Sequence, residues 1–268
     1  MRFDILTLFP GIFDGFLSES LLSGALRSNL IEVYLHNIRD WATDRHGTID
    51  DTPFGGGAGM VMKVDRVVPC VEDVQAMTSP AGRLVLLTPQ GRKLTQRVIE
   101  ELAGEERILL LCGRYEGFDQ RVSDLLAPDE ISLGDFILNG GEVAAMAIIE
   151  AAARLIPGVL GDEQSARFDS FSSGNRLLEE PQFTRPREYR GLSVPDILLS
   201  GNHQEVDRWR AQQRFTRTRE RRPDILLAEG VDWTEGEAEN GKKRKPKRKQ
   251  ESRNEASECT KRGETPEE

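Results

Sequence analysis

Cysteine is scarce in this 268-residue chain: Cys70, Cys112 and Cys259 are odd in number and far apart. A disulfide framework or a structural zinc site is not expected, and a reducing, cytoplasmic setting is the default. No apolar run approaches the roughly 20 residues of a membrane-spanning helix. The opening MRFDILTLFP alternates like a strand and lacks a small-residue cleavage site, so no signal peptide is expected. Two nucleotide fingerprints are also missing, since neither G-x-x-x-x-G-K-[ST] nor G-x-G-x-x-G occurs. The nearest approach, GGGAG at 55–59, follows DDTPF rather than a strand. A nucleotide-phosphate site is therefore disfavoured, and a nucleotide-dependent oxidoreductase with it. No compact carboxylate cluster announces a metal, and there is no internal repeat.

What is present is 38% hydrophobic and 30% charged, the balance of a soluble globular protein with polar additions. The net charge of −9 argues at first against a polyanionic partner, but its distribution matters more. Residues 1–160 hold 14 Lys/Arg against 23 Asp/Glu, whereas residues 184–222 hold 10 Arg, no Lys and 5 acids. Salt confines a charge's field to about 10 Å, so a local arginine stripe can meet phosphate on an acidic protein. The bland alternative is a solvated helix face, which ordinarily mixes Lys with Glu. On residues alone the candidates for RNA contact are Arg185, Arg187, His203, Arg208 and Arg214.

Apolar runs alternate with helical periods along the first part of the chain. Strands are expected at Phe3–Phe9, Ile31–Ile38, Leu84–Thr88, Ile108–Cys112 and Ile131–Leu133. Helical spacing marks 14–28, 65–77, 92–102 and Glu142–Leu155, the last stopped by Pro157-Gly158. This predicts an α/β fold with a mostly parallel sheet. Residues 161–175 read as a polar linker, and 203–220 and 224–229 as helices of a small helical C-terminal domain. The boundaries implied are 1–160, 161–175, 176–233 and a tail, 234–268, too poor in apolar residues to order itself. That tail carries KKRKPKRK at 242–249, a source of non-specific RNA affinity or a solubilising appendage.

Three glycine-bearing segments each follow an expected strand: TPQGRK (88–93), CGRYEGFDQRV (112–122) and SLGDFILNGGE (132–142). Ligands of α/β sheets sit at the carboxyl ends of strands, and glycine lets backbone approach them closely. Gly113, Gly117, Gly134, Gly140 and Gly141 are so placed, with Leu87, Leu133 and Leu138 as apolar walls and Glu116 as a partner for a cationic amine or ribose hydroxyls. Any one such loop serves as well as a tight βα turn; three on one sheet favour a ligand cradle.

MRFDILTLFPGIF, DDTPFGGGAGMVMK, LTPQGRKL, LCGRYEGFDQRV, ISLGDFILNGGE, RLIPGVLG, FDSF and LLSGNHQEVDRWR follow one another in order up to about residue 228. In these segments the chain resembles the bacterial tRNA (guanine-37-N1)-methyltransferases of the SPOUT class. The resemblance implies a C-terminal trefoil knot and a homodimer whose active sites draw on both subunits. It implies S-adenosylmethionine as methyl donor, guanine 37 of a tRNA anticodon loop as acceptor, and a magnesium requirement. It places the cofactor on Leu87, Gly113, Tyr115, Glu116, Gly117, Ser132, Leu133, Gly134, Asp135, Phe136, Ile137, Leu138, Gly140 and Gly141. It makes Asp169 and Arg154 the catalytic pair.

The chemistry agrees with that pairing. Guanine N1 carries a proton at neutral pH, so a positioned base must remove it, and an arginine suits the charge that then reaches O6. Without the resemblance, Asp169 reads as a turn residue and Arg154 as a cation favourable to a helix end. Phe168 departs from the family pattern, where a polar neighbour is expected, and would raise the pKa of Asp169 by desolvation. Arg154 is expected at the edge of the cradle. The rivals are a ribose 2′-O-methyltransferase of the same class and an RNA-binding module without cofactor.

Overall fold

The computed structural model describes residues 1–161, 169–172 and 176–228. Its centre is a five-stranded sheet of β1 (Arg2–Thr7), β2 (Glu32–Asn37), β5 (Arg83–Lys93), β6 (Arg107–Cys112) and β7 (Asp129–Ser132), in the order β2-β1-β6-β5-β7. Every pairing in it is parallel. Two-residue strands β3 (Asp50–Asp51) and β4 (Val61–Met62) form a separate antiparallel pair, as do β8 (Glu188–Tyr189) and β9 (Leu192–Ser193).

Side chains alternate across a strand, and β6 shows how that sorts the core. Ile108 and Leu110 enter one apolar cluster; Leu109 and Leu111 enter the other. The first cluster is closed by α2 (Ser20–Arg27), α4 (Gln96–Ala103) and α6 (Glu142–Ala153), through Leu22, Ile99 and Ile148 among others. The second is closed by α3 (Val64–Ala76) and α5 (Gln120–Leu126), through Val67, Val71 and Val122. All six residues of β6 are buried, as a strand covered on both faces must be. The parallel α/β sheet expected from the alternation is present.

Four elements differ from expectation for identifiable reasons. Glu19 is extended, so the period at 14–28 is divided into α1 (Asp14–Ser18) and α2. The pattern at 92–102 becomes helix only at Gln96, where Thr95 caps it, because Arg92 and Lys93 still pair with Ile131 and Ser132. The register jumps between Leu87 and Arg92, so TPQG bulges out of β5 instead of ending it. Helix α5 lies within what reads as a glycine loop and is capped by the Asp119 side chain, which accepts from Arg121 N–H.

Beyond residue 175 the described chain folds along α7 (His203–Arg221), which is followed by α8 (Pro223–Ala228). Val206, Trp209 and Gln213 are half-buried there, and Trp209 packs on Phe183 with ring centroids 6.5 Å apart. Buried Thr218 donates to the Arg214 carbonyl and accepts from Leu178 N–H at 2.9 Å. Phe168 and the 234–268 tail lie outside the described residues.

Candidate active site

The carboxyl ends of β5, β6 and β7 open into one cavity of about 330 Å³, at the lower end of the range for small-molecule sites. The TPQG bulge supplies Thr88, Pro89 and Gln90; the loop after β6 supplies Gly113 to Phe118; the segment after β7 supplies Ser132 to Gly134 and Phe136 to Gly141. Leu87, Ile131 and Ala144 line the cavity as well. Among the sequence-predicted cofactor residues, Leu87, Gly113, Tyr115, Glu116, Gly117, Ser132, Leu133, Gly134, Phe136, Ile137, Leu138, Gly140 and Gly141 all face it. Asp135 does not line it; its carboxylate takes Lys93 Nζ at 2.7 Å on the exposed side.

The loop after β6 holds its shape through backbone bonds. Gly117 N–H donates to Arg114 O at 3.0 Å, with Tyr115 at φ 59° and Gly117 at φ 100°. The segment 60–62 zips along its other side: Glu116 N–H donates to Met60 O at 2.9 Å, and Met62 N–H to Gly117 O at 2.9 Å. GGGAG at 55–59, set aside in the sequence for want of a preceding strand, is thereby brought beside the cavity, with Gly59 against the Glu116 side chain. Its neighbour Phe54 is 100% exposed. Opposite, Gly141 N–H donates to Gly113 O at 3.0 Å. A Cβ at Gly141 would lie 2.8 Å from the Cys112 Cα, so only glycine lets these two backbones meet. Burial pushes the Cys112 thiol well above its ordinary range, which removes it as a nucleophile.

Under the floor sits a fully buried carboxylate, Glu142, in the first turn of α6. Thr7 Oγ1 donates to its Oε1 at 2.8 Å, and Arg114 reaches both oxygens through Nε and Nη2, each at 3.0 Å. The Arg114 guanidinium also lies 4.6 Å over the Phe9 ring. Neither Glu142 nor Arg114 is singled out by the sequence: 28 residues separate them and no spacing rule connects them.

Arg154 and Asp169 are paired with each other, Nη2 donating to Oδ2, and both are about 40% exposed. Neither lines the cavity. Arg154 is the C-cap of α6, whose N-cap, Gly141, is at the cavity, so the helix carries it roughly 20 Å away at 1.5 Å per residue. The expectation that Arg154 edges the cradle is therefore not met within one chain. Among the described residues no group of three or more His, Cys, Asp or Glu is placed to hold a metal.

Of the arginine-stripe residues, Arg185, His203 and Arg208 are exposed, and Arg187 is exposed beside Asp196 at 3.1 Å. Arg214 is half-buried, and its Nε is hydrogen-bonded to the buried carboxylate of Glu180, which joins the 176–186 segment to α7. Burial alone would raise the Glu180 carboxyl, but Arg214 and Arg210 hold it below the ordinary glutamate range.

A family model described as "tRNA (Guanine-1)-methyltransferase TrmD" matches residues 1–228. A protein of Rhodopirellula baltica named tRNA (guanine-N(1)-)-methyltransferase is 61% identical over 227 residues, 84% of this chain and 94% of its own. One of the same name from Geobacter sulfurreducens is 55% identical over 226 residues, 84% of this chain and 91% of its own. Another, from Chloroflexus aggregans, is 53% identical over 226 residues, 84% of this chain and 88% of its own.

Proposed function

The chain belongs to the tRNA (guanine-1)-methyltransferase family, and from that premise we propose that it methylates N1 of guanine 37 in a tRNA anticodon loop, with S-adenosylmethionine as donor. One observation carries the reading. The cavity is built from the bulge within β5 and the loops after β6 and β7, all inside the matched residues, and it has the close backbone approach and apolar walls that an adenosyl group needs.

The residues present fit that donor. Backbone groups of 113–117 and 132–141 can read an adenine edge, Leu87, Leu133 and Leu138 can enclose the ring, and Glu116 can accept ribose hydroxyls or the amino group. When bound, S-adenosylmethionine supplies an electrophilic methyl on a sulfonium that leaves as a neutral thioether. Asp169 takes the N1 proton of guanine as the N1–methyl bond forms. Arg154 faces the charge that reaches O6. Without substrate the two are paired through one carboxylate oxygen of Asp169. For magnesium, which the resemblance implies, the described residues offer no group of three or more His, Cys, Asp or Glu to hold it.

The roughly 20 Å from Gly141 to Arg154 is the reason to assign the active form to a homodimer, in which one copy gives the cradle and the other Arg154 and Asp169. Phe54, Phe136, Ile137 and Val143 are exposed around or near the cavity, an apolar surface that a second copy would cover. A SPOUT-type trefoil knot at the cavity loops, which the family resemblance implies, belongs to the same proposal. Residues 1–160 are then the knotted cofactor domain, 161–175 a linker and 176–233 the tRNA-binding domain. Arg185, Arg187, His203 and Arg208 are the proposed phosphate contacts. A cytoplasmic setting accords with a tRNA substrate and with the unpaired, buried Cys70 and Cys112. No helix among the described residues is long and apolar enough to cross a membrane.

The test is methyl transfer from labelled S-adenosylmethionine to tRNA transcripts carrying G or A at position 37, followed by nucleoside analysis. Label on the G transcript alone, recovered as 1-methylguanosine, is expected. No label, equal label on both, or a 2′-O-methylated product would overturn the proposal.

A further inference from the structure

We propose that Glu142 is a positioning residue for the methyl donor, acting through Arg114 and Thr7 without touching the donor. This rests on the cavity being the donor site. Glu142 is 1% exposed and absent from the cavity lining, whereas Gly141 before it and Ala144 after it both face the cavity. Such a carboxylate has no solvent to compensate it, so its partners define its position. Those partners come from two separate elements: Thr7 at the end of β1 and Arg114 in the loop after β6.

The arrangement locks the loops together. Arg114 forms an isolated antiparallel bridge with Gly140 and donates Nη1 to Asn139 O at 3.4 Å. Its Nε and Nη2 are held by Glu142. The 139–141 backbone is therefore clamped on the 113–114 backbone by one guanidinium, and the carboxylate fixes where that guanidinium lies. A Cβ at Gly140 would strike both the Arg114 and the Glu142 side chains, so the clamp leaves no slack at that point. The Thr7 hydroxyl donates to Glu142 and accepts from Phe9 N–H at 3.0 Å, which extends the lock to the loop after β1. Fixed backbone amides are what the cavity offers a donor, and small displacements of such groups are costly.

The test is titration of the full chain with S-adenosylhomocysteine by calorimetry, with thermal midpoints measured on the same preparations. Glu142→Gln puts amide hydrogens against Arg114 and should weaken binding about 10- to 100-fold. Thr7→Val removes only the β1 link and should weaken it less, by about threefold. In methyl transfer the KM for S-adenosylmethionine should rise more than kcat falls. Glu142→Asp, which keeps the charge, should recover part of the affinity. A role confined to folding predicts a lowered midpoint with wild-type affinity; that result in Glu142→Gln, or in Thr7→Val if the first variant does not fold, overturns the proposal. Absence of binding by the wild-type protein would instead overturn the donor-site reading on which it rests.

Discussion

A buried carboxylate lies toward each end of the sheet, one held by the first residue of the central strand β6 and the other by an arginine in the loop just beyond that strand. At the amino end Asp4 meets Arg107, the first residue of β6, at 2.8 Å; at the carboxyl end Glu142 meets Arg114, just past its last residue. The surroundings differ. Arg107 also donates to the carbonyls of Val74, Gln75 and Thr78 at the end of α3, and Asp4 takes His36 and Arg2 at 2.8 Å each. That end is closed. At the other end Arg114 borders an open cavity rimmed by glycine and exposed apolar side chains. The same chemical pair thus closes a core in one place and borders an open cavity in the other.

If the two ends divide stability from function, variants should separate them. The largest effect belongs to the functional side: Asp169→Asn should lower methyl transfer by about 10²- to 10⁴-fold, the range for a general base. Its thermal midpoint should stay unchanged, because the carboxylate is partly exposed. Next, Asp4→Asn should cost about 3 kcal/mol of folding stability, since it leaves Arg107 buried without its counter-charge. Denaturant titration reads that loss, and affinity for S-adenosylhomocysteine should be unchanged while the protein is folded.

The third contrast is with pH. Burial would raise the Asp4 carboxyl, but hydrogen bonds from His36, Arg2 and Arg107 outweigh it and hold the group well below the ordinary aspartate range. A carboxyl more acidic in the folded than in the unfolded chain stabilises the fold above its unfolded pKa. That contribution is lost as the pH falls below about 4. Stability measured from neutral pH into acid should show this loss in the wild type and a shallower one in Asp4→Asn. The smallest effect is on RNA. Arg208→Ala should weaken tRNA binding and lower the salt dependence by about one released counterion. Arg214→Ala should instead loosen the packing of 176–186 on α7, read as faster proteolysis there.

Legibility followed the range of the interaction. The five strands and most helices were visible because period and β-branched or leucine runs are local signals. The cradle was visible because glycine after a strand is also local. What escaped depended on contacts between distant residues. Arg114 and Glu142 meet across two loops, and no periodicity connects them. GGGAG reads as an unexplained loop until 60–62 is zipped onto the loop after β6. Helix α5 was hidden behind the glycines preceding it, although Asp119 was a usable cap signal. The pairing of Arg214 with Glu180, 34 residues away, has no local signal. The separation of Arg154 from the cavity was recoverable in principle, since a helix from Glu142 to Ala153 must carry its end away. Proximity in sequence to the glycine loop concealed that.

That separation underlies the central claim, that cradle and base come from different copies of the chain. Co-expression of two inactive variants tests it directly, one with the cradle blocked by Gly141→Val and one with Asp169→Asn. If sites are shared, random pairing leaves one intact site in each mixed dimer, and activity should return to about a quarter of the wild-type level. A co-expressed, purified mixed dimer as inactive as either parent would contradict the claim.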